Sequence, residues 1–176
     1  MNDLILTDLQ FIFQSSYELN IISPFAQNHA SHISWSSATV CSPPCLLVSN
    51  TTDILALDYK TLTVNSVVSG LTRAVAIDVH FSLGYIFWSD VTEGNIKRFR
   101  IDVSNTTTII TGIGVCNGLA VDWRESQLYW TDTTYNTISV SDLDGNNQSL
   151  LISSDLDKPG AIALDLDNRY LQSHGS

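Results

Sequence analysis

A repeat of about 42 residues constrains the fold of this chain more than any other feature. The tetrapeptides Phe87-Trp88-Ser89-Asp90 and Tyr129-Trp130-Thr131-Asp132 lie 42 residues apart. An apolar-Asp strand ending recurs at nearly the same interval, at Asp78, Asp122 and Asp165. Four short apolar runs in a period of this length are typical of β-propeller blades, and the helical spacing of other repeats with a similar period is missing. The repeat therefore predicts an all-β fold of four-stranded antiparallel blades, a partial β-propeller.

The repeats divide the chain into three parts. Residues 1–45 match no repeat, and we predict a poorly ordered N-terminal segment there. Residues 46–171 hold two whole blades and two partial ones, with separate strands predicted at Val64–Val68 and Ala74–Val79. Residues 172–176 form a polar tail. Because such an arc of blades is open, we expect uncovered apolar surface on its terminal blades.

The aromatic tetrapeptides are predicted to be structural. Alternate residues of a strand face opposite sides, so Tyr129 and Trp130 would fill opposite faces of one blade. The closing aspartates, Asp90 and Asp132, can accept N–H bonds from the following turn. Asp90 is also a candidate ion-pair partner of Arg98. The structural motif comprises Phe87, Trp88, Asp90, Tyr129, Trp130 and Asp132.

Composition excludes several classes of function. The net charge is −10 and only 15% of residues are charged, so clustered Lys and Arg for nucleic acid are missing. The repeated Asp78, Asp122 and Asp165 occur once per blade, as structural residues do, and His80 is the one histidine within the repeats before residue 170. The stretch 142–146 lacks the glycine and glutamate spacing of an EF-hand. We therefore predict no catalytic site, metal, cofactor or small-molecule substrate.

Modification and redox chemistry are less constrained. Glycosylation sequons begin at Asn50, Asn105 and Asn147, each at a predicted turn. Of the three cysteines, Cys41 and Cys45 flank Ser42-Pro43-Pro44, and a disulfide that closes this small loop is one alternative. Cys116 is predicted to be a small core residue.

Together these residues resemble the YWTD repeats of the low-density lipoprotein receptor superfamily. The resemblance covers about residues 46–171 and is closest over Gly118–Asp132, Leu143–Gly145 and Lys158–Asp165. The segment Leu46–Ile54 is similar to the opening of a first propeller in receptor-related proteins, including the Wnt co-receptor branch. The resemblance implies about half of a six-bladed extracellular ring that binds protein ligands or other receptor modules and has no catalytic activity.

The resemblance also implies where the protein would act and what it would bind. The chain has neither a basic signal-peptide start nor an apolar span, so we expect a longer parent to place it at the extracellular side of the plasma membrane. An endocytic or Wnt co-receptor role and a secreted matrix role of the nidogen or EGF-precursor kind both remain open, and a propeller hydrolase is the remote third class. The implied ligand face carries Asn50, Thr51, Thr72, Arg73, Val91, Thr92, Glu93, Val115, Asn117 and Thr134.

Overall fold

The computed structural model describes residues 20–22, 45–58, 61–166 and 168–175. The strands are β1 Asn20–Ile22, β2 Cys45–Ser49, β3 Thr51–Asp58, β4 Thr63–His80, β5 Tyr85–Asp90, β6 Asn95–Arg100, β7 Asn105–Thr111, β8 Leu119–Asp122, β9 Gln127–Asp132, β10 Thr137–Asp142, β11 Ser149–Ile152, β12 Pro159–Asp165 and β13 Tyr170–Gly175. A short 3-10 turn, Phe81–Leu83, joins β4 to β5. The predicted all-β class is confirmed.

All strand pairs in the described residues are antiparallel and join neighbours in sequence. Blade A contains β1, β2, β3 and the first half of β4, and blade B contains the second half of β4 with β5, β6 and β7. Blade C contains β8 to β11, and blade D contains β12 and β13. The innermost strand β8 packs against both β4 and β12, so successive blades lie side by side as in a propeller.

The strand β4 belongs to two blades. Its first part, Thr63–Ser69, pairs with β3, and its last part, Ala74–His80, pairs with β5. The prediction of two separate strands here is wrong, because β4 runs through the connection as one strand. Gly70 takes a positive φ of 75° within it, a conformation that costs glycine little.

Both ends of the repeat region extend beyond their predicted limits. Asn20–Ile22, within the predicted disordered segment, forms β1 and pairs with β2 in the position of a first strand of blade A. Most of the predicted segment 1–45 lies outside the described residues. At the other end, β13 continues to Gly175 and pairs with β12, so part of the predicted polar tail is a strand.

Apolar side chains are buried between blades. The cluster between blades A and B contains Trp88, and the cluster between blades B and C contains Phe87 and Trp130. Tyr129 packs into a third cluster between blades C and D. Adjacent residues of each tetrapeptide thus enter opposite seams, as strand alternation predicts, and the motif joins its blade to both neighbours.

Candidate ligand-binding face

The loops at one end of the blades form what we call the upper face: the turns after each second strand and the segments that enter each first strand. Asp90 fixes these loops in blade B. Its Oδ2 accepts N–H bonds from Thr72 at 3.1 Å and Arg73 at 3.2 Å, and its Oδ1 accepts bonds from Thr92 and Glu93 at 3.2 Å each. One carboxylate therefore holds both the turn that follows it and the segment that enters its own blade.

Asp132 repeats this arrangement in blade C. Its Oδ2 accepts the N–H of Gly114 at 2.7 Å, and its Oδ1 accepts those of Thr134 at 2.9 Å and Tyr135 at 3.1 Å. The predicted bonds to the following turn are confirmed for both aspartates. The second set of bonds, to the entering segment, depends on tertiary contact and was not part of the sequence prediction.

The residue before each aspartate ties its blade to the next one. Ser89 Oγ donates to the Cys116 carbonyl at 2.9 Å, and Thr131 Oγ1 donates to the Gly160 carbonyl at 2.7 Å. Ser49 makes the same contact with the Ala74 carbonyl at 2.9 Å. The upper face is therefore a row of loops whose backbone positions are fixed by repeated buried bonds.

The structure brings several predicted face residues into direct contact. Thr72 Oγ1 donates to Glu93, and the Val115 N–H donates to Thr134 Oγ1 at 2.9 Å. The Val91 N–H donates to the Arg73 carbonyl at 3.1 Å. The other predicted members lie on the same row of loops, where the Thr92 N–H donates to Asp90 at 3.2 Å: Asn50, Thr51, Thr92 and Asn117.

The single predicted acid of this face, Glu93, is already engaged within the protein. Its carboxylate accepts bonds from Thr72 Oγ1 and Asn95 Nδ2, both at 2.9 Å, and lies 2.7 Å from the Lys97 ammonium. The Lys97 contact, followed by the Asn95 amide and the Thr72 hydroxyl, lowers the pKa of Glu93 to about 2. The carboxylate is thus ionised and paired, which reduces its capacity to receive a basic ligand.

Sequence reasoning missed Tyr135, the most exposed aromatic side chain on the upper face at 65%. Tyr135 occupies the repeat position that Glu93 holds in blade B, and the partly exposed Val115 lies on the neighbouring loop. Lys158 adjoins the same region, since its N–H donates to Asn136 Oδ1 at 3.0 Å. A 42-residue step from Glu93 was the signal that could have identified Tyr135.

The predicted partnership of Asp90 with Arg98 is wrong. Arg98 crosses to blade C, where its Nη1 contacts Asp144 Oδ1 at 2.6 Å and the Leu143 carbonyl at 2.8 Å. The guanidinium also lies 4.4 Å from the centre of the Tyr85 ring. Asp90 is fully occupied by backbone N–H groups, so the long Arg98 side chain is free to bridge the seam.

The repeated strand-end aspartates have structural roles. Asp122 accepts N–H bonds from Arg124 and Glu125, and Asp165 accepts one from Asn168. Asp78 instead bridges blades, with its two oxygens 2.7 Å from the N–H groups of Val79 and Val121. Burial raises the pKa of Asp78 to about 7, against the lowering effect of these two bonds.

The described part of the chain shows no metal site, and its core holds one free cysteine, Cys116. No group of three or more metal-ligating side chains occurs there. Cys116 is a buried free thiol in the core, as predicted, and burial raises its pKa to about 12. Cys41 lies outside the described residues. No helix within residues 20–22, 45–58, 61–166 and 168–175 is long and apolar enough to cross a membrane.

The three sequons differ in their surroundings. Asn50, Asn105 and Asn147 are all exposed. Asn50 Oδ1 accepts the Asp53 N–H at 2.8 Å on the upper face, and Asn147 Nδ2 donates to Asp142 at 3.1 Å. Asn105 opens β7 away from the upper face, and its Nδ2 lies 3.4 Å from Thr107 Oγ1, the hydroxyl of its own sequon.

Comparison with known proteins decides the type of repeat. Residues 126–166 match the family model described as low-density lipoprotein receptor repeat class B. The chain is also 38% identical over 133 residues to low-density lipoprotein receptor-related protein 5 of Mus musculus and, equally, of Homo sapiens. This chain carries low-density lipoprotein receptor class B repeats. Each match covers 73% of the chain, which spans 8% of the length of these relatives.

Solved structures with the same fold place the class B repeats of this chain among β-propellers. A chain from a nidogen/laminin complex superposes with a TM-score of 0.69 at 24% identity, covering 73% of this chain and 52% of its own. A chain of Kuenenia stuttgartiensis hydrazine synthase gives a TM-score of 0.62 at 16% identity, covering 73% and 38%. At these identities the likeness concerns the fold alone, and it agrees with a partial propeller.

Proposed function

We propose that this chain is a non-catalytic extracellular module that binds protein ligands through its upper face. The observation that carries the proposal is that Asp90 and Asp132 accept bonds from the backbone N–H groups of exposed loops on the upper face and so fix the positions of these loops. Preorganised loops lower the entropic cost of binding. The class B repeats and the receptor-related relatives support the receptor type.

The chemistry of the face favours a ligand with apolar and polar contacts over a strongly basic one. Glu93 is paired with Lys97, and Tyr135 and Val115 present exposed apolar surface. Tyrosine is enriched among the residues that dominate binding energy. The ligand would therefore rest on Tyr135 and Val115, with the Thr134 and Asn117 loops at its edge.

The same chemistry predicts weak capture of short Asn-x-Ile antagonist peptides of the kind that Wnt co-receptor propellers bind. Those peptides need carboxylates on this face, and each missing charge-assisted bond costs roughly 1.5–3 kcal/mol. Titration of a labelled Asn-x-Ile peptide should give no saturable binding at micromolar concentration. Submicromolar binding that Arg73→Glu abolishes would contradict this assignment of ligand chemistry.

A position-specific crosslinking experiment tests the upper face directly. A photoreactive phenylalanine analogue would replace Tyr135, and in a matched control it would replace Tyr170, which is 68% exposed on blade D away from this face. On exposure to secreted proteins of cultured cells, we expect discrete adducts from position 135 and few from position 170. Equal labelling at the two positions, or none at 135, would contradict the proposal.

A matrix role of the nidogen kind is the second candidate. The fold match to a chain of a nidogen/laminin complex motivates it, although the identity of 24% supports only the fold. The identity of the crosslinked protein separates the two roles. A basement-membrane structural protein at position 135 would favour the matrix role, and a soluble ligand or endocytic partner would favour the receptor role.

We further propose that Asn105 is the preferred glycosylation site. Its amide meets the hydroxyl of its own sequon, and it lies away from the upper face, so a glycan there leaves ligand access unchanged. Asn50 lies on the upper face, and Asn147 is bonded to Asp142. Peptide mapping of secreted protein should find glycan on Asn105, whereas glycan confined to Asn50 would contradict both this choice and the ligand face.

A further inference from the structure

Two of the three sequons occupy the same position in successive repeats. Asn105 and Asn147 lie 42 residues apart, and each follows the turn between the third and fourth strands of its blade. Both side chains are exposed, at the end of the blades opposite to the upper face. The two sites therefore form an internal comparison, in which the repeat is constant and the neighbouring side chains differ.

The residue two positions before the asparagine distinguishes the two sites. At Asn105 this residue is Val103, which is 59% exposed. At Asn147 it is Gly145, which is buried and so close to Ile109 that a Cβ would overlap its carbonyl oxygen. Blade B thus presents an apolar side chain to solvent where blade C has a buried glycine.

The third sequon has no such neighbour. Val48 precedes Asn50 by two residues, but it lies within β2 and is only partly exposed. Among the three sequons, all of which the structure describes, Asn105 alone therefore has an exposed apolar side chain at this distance.

The turn that carries Val103 is short and closed by a hydrogen bond. The Ser104 N–H donates to the Ile101 carbonyl at 3.4 Å, and Ser104 takes a positive φ of 49°. Asn105 then opens β7 opposite Arg100 of β6. Because two residues span at most about 7 Å of chain, a sugar ring bonded to the Asn105 amide reaches the Val103 side chain.

The chemistry of a sugar ring fits this turn. The ring of N-acetylglucosamine has faces of C–H groups, and its N-acetyl methyl group is apolar, so either can remove a valine side chain from water. Its hydroxyl groups lie at the ring edge, where the exposed Asp102 and Ser104 side chains offer hydrogen-bond partners. One apolar side chain between two polar ones thus matches the amphipathic sugar.

We propose that the glycan on Asn105 has a structural role: its first N-acetylglucosamine packs on Val103 and stabilises the β6–β7 turn. The inference rests on the glycosylation of Asn105 proposed above. It adds a contact surface for the sugar and a reason for the exposed valine.

The attachment step uses a lipid-diphosphate-linked oligosaccharide as the sugar donor. Asn105 Nδ2 forms a bond to the anomeric carbon of the donor, the bond from that carbon to the diphosphate breaks, and one proton passes from Nδ2 to solvent. The lipid diphosphate is the leaving group. The Thr107 hydroxyl of the sequon lies 3.4 Å from Nδ2, so the two groups of the acceptor site are already adjacent.

A glycan on Asn147 should not stabilise its turn. The neighbouring Gly145 has no side chain and is already buried against Ile109, so no apolar contact is gained. Asn147 Nδ2 also donates to Asp142 at 3.1 Å. Asn147 therefore provides the matched control site.

The test compares four samples of the full chain: wild type and Val103→Ser, each with and without a sugar. Thr52→Ala and Ser149→Ala, both at exposed positions, are present in all four, so that Asn105 keeps the one intact sequon. Protein secreted by cultured animal cells and trimmed by an endoglycosidase carries a single N-acetylglucosamine, and protein made in bacteria carries none. The sugar should raise the Tm of the Val103 protein by about 2–4 °C and that of Val103→Ser by less than about 1 °C.

Two local measurements accompany the melts. Amide exchange at Ser104 and Asn105 should be about fivefold slower with the sugar, and only when Val103 is present. Nuclear Overhauser effects should connect the N-acetyl methyl group with the Val103 methyl groups. In the control protein, Thr107→Ala replaces Ser149→Ala, and a sugar on Asn147 should change the Tm by less than about 1 °C.

Three results would overturn the proposal. If peptide mapping finds no glycan on Asn105, this inference and the choice of glycosylation site fail together. If the glycan is present but stabilises Val103→Ser as much as the Val103 protein, the structural role fails while the modification stands. Equal stabilisation by a sugar on Asn147 would show a general effect of glycosylation that does not need Val103.

Discussion

The two seams on either side of blade C differ in how completely they are built. Toward blade B, the outer strand β7 is covered by the Leu143–Gly145 turn, and an arginine bridges the two blades. Toward blade D, the outer strand β11 presents three apolar side chains to solvent. Because the repeats are alike in sequence, the difference shows that an outer strand becomes core only when the next blade supplies its turn.

The largest expected effect comes from the aromatic centre of the completed seam. Trp130 is 4% exposed in the cluster between blades B and C, so Trp130→Ala should lower the free energy of unfolding by about 3–5 kcal/mol. Trp123→Ala is the matched control, because Trp123 is 37% exposed, and it should cost less than about 1 kcal/mol. Urea denaturation of the three proteins measures both values, and similar losses would contradict the assigned packing.

A matched isoleucine pair compares the two seams most closely. Ile110→Ala removes a buried side chain and should cost about 2–5 kcal/mol, whereas Ile152→Ala at the equivalent position should cost less than about 1 kcal/mol. The comparison is made by denaturation at equal protein concentration. Equal costs would mean that β11 is covered in solution.

The buried carboxyl of Asp78 gives the completed seam a pH dependence. Its folded pKa of about 7 lies above the ordinary value of 3.8, so the folded state holds the proton more tightly. The resulting stability is fully present below about pH 4 and is lost as the pH rises through 7, by at most about 1.4 kcal/mol per pH unit.

The difference between wild type and Asp78→Asn isolates this effect, because other titrating groups, His80 included, are common to both proteins. Relative to the variant, wild type should become less stable as the pH rises from 4 to 8. Thermal melts across this range provide the measurement. A difference that is flat, or that grows with pH, would mean that the two N–H bonds to Asp78 outweigh its burial.

A smaller effect is expected at the edge of the same seam. Arg98→Val gives blade B the residue that blade C has at this position, Val140, and removes the contacts with Asp144 and the Leu143 carbonyl. Because Asp144 is largely exposed, the loss should be about 1 kcal/mol. A loss above about 3 kcal/mol would indicate a buried ion pair.

Sequence alone predicted the blades well because their pattern is local. The alternation in each tetrapeptide, the turn glycines Gly94 and Gly145, and the N–H bonds to Asp90 and Asp132 all follow from residues close in the chain. The predictions that β4 is divided and that Arg98 pairs with Asp90 were wrong, because both features depend on contacts with the neighbouring blade.

The sequence predicted where the candidate site lies better than it predicted the contacts that its side chains make. The repeat located the upper-face loops, but the bond from Thr72 to Glu93, which lies beside Asn95 and Lys97, requires the β5–β6 hairpin to meet the segment that enters blade B. Tyr135 was missed because its neighbours in sequence resemble an ordinary turn, and its exposure becomes evident only in the folded blade. The ligand face as a whole remains a prediction.

Amide hydrogen exchange of the unliganded chain tests the central claim, that each outer strand is completed by the next blade, most directly. Both β7 and β11 pair with an inner strand of their own blade, so they differ mainly in this cover. We predict slow exchange for Ile109 and Ile110 and fast exchange for Leu151 and Ile152. The exchange rates of the two strands should differ at least about 100-fold if their opening free energies differ by about 3 kcal/mol. Equal protection in the two strands would contradict the account.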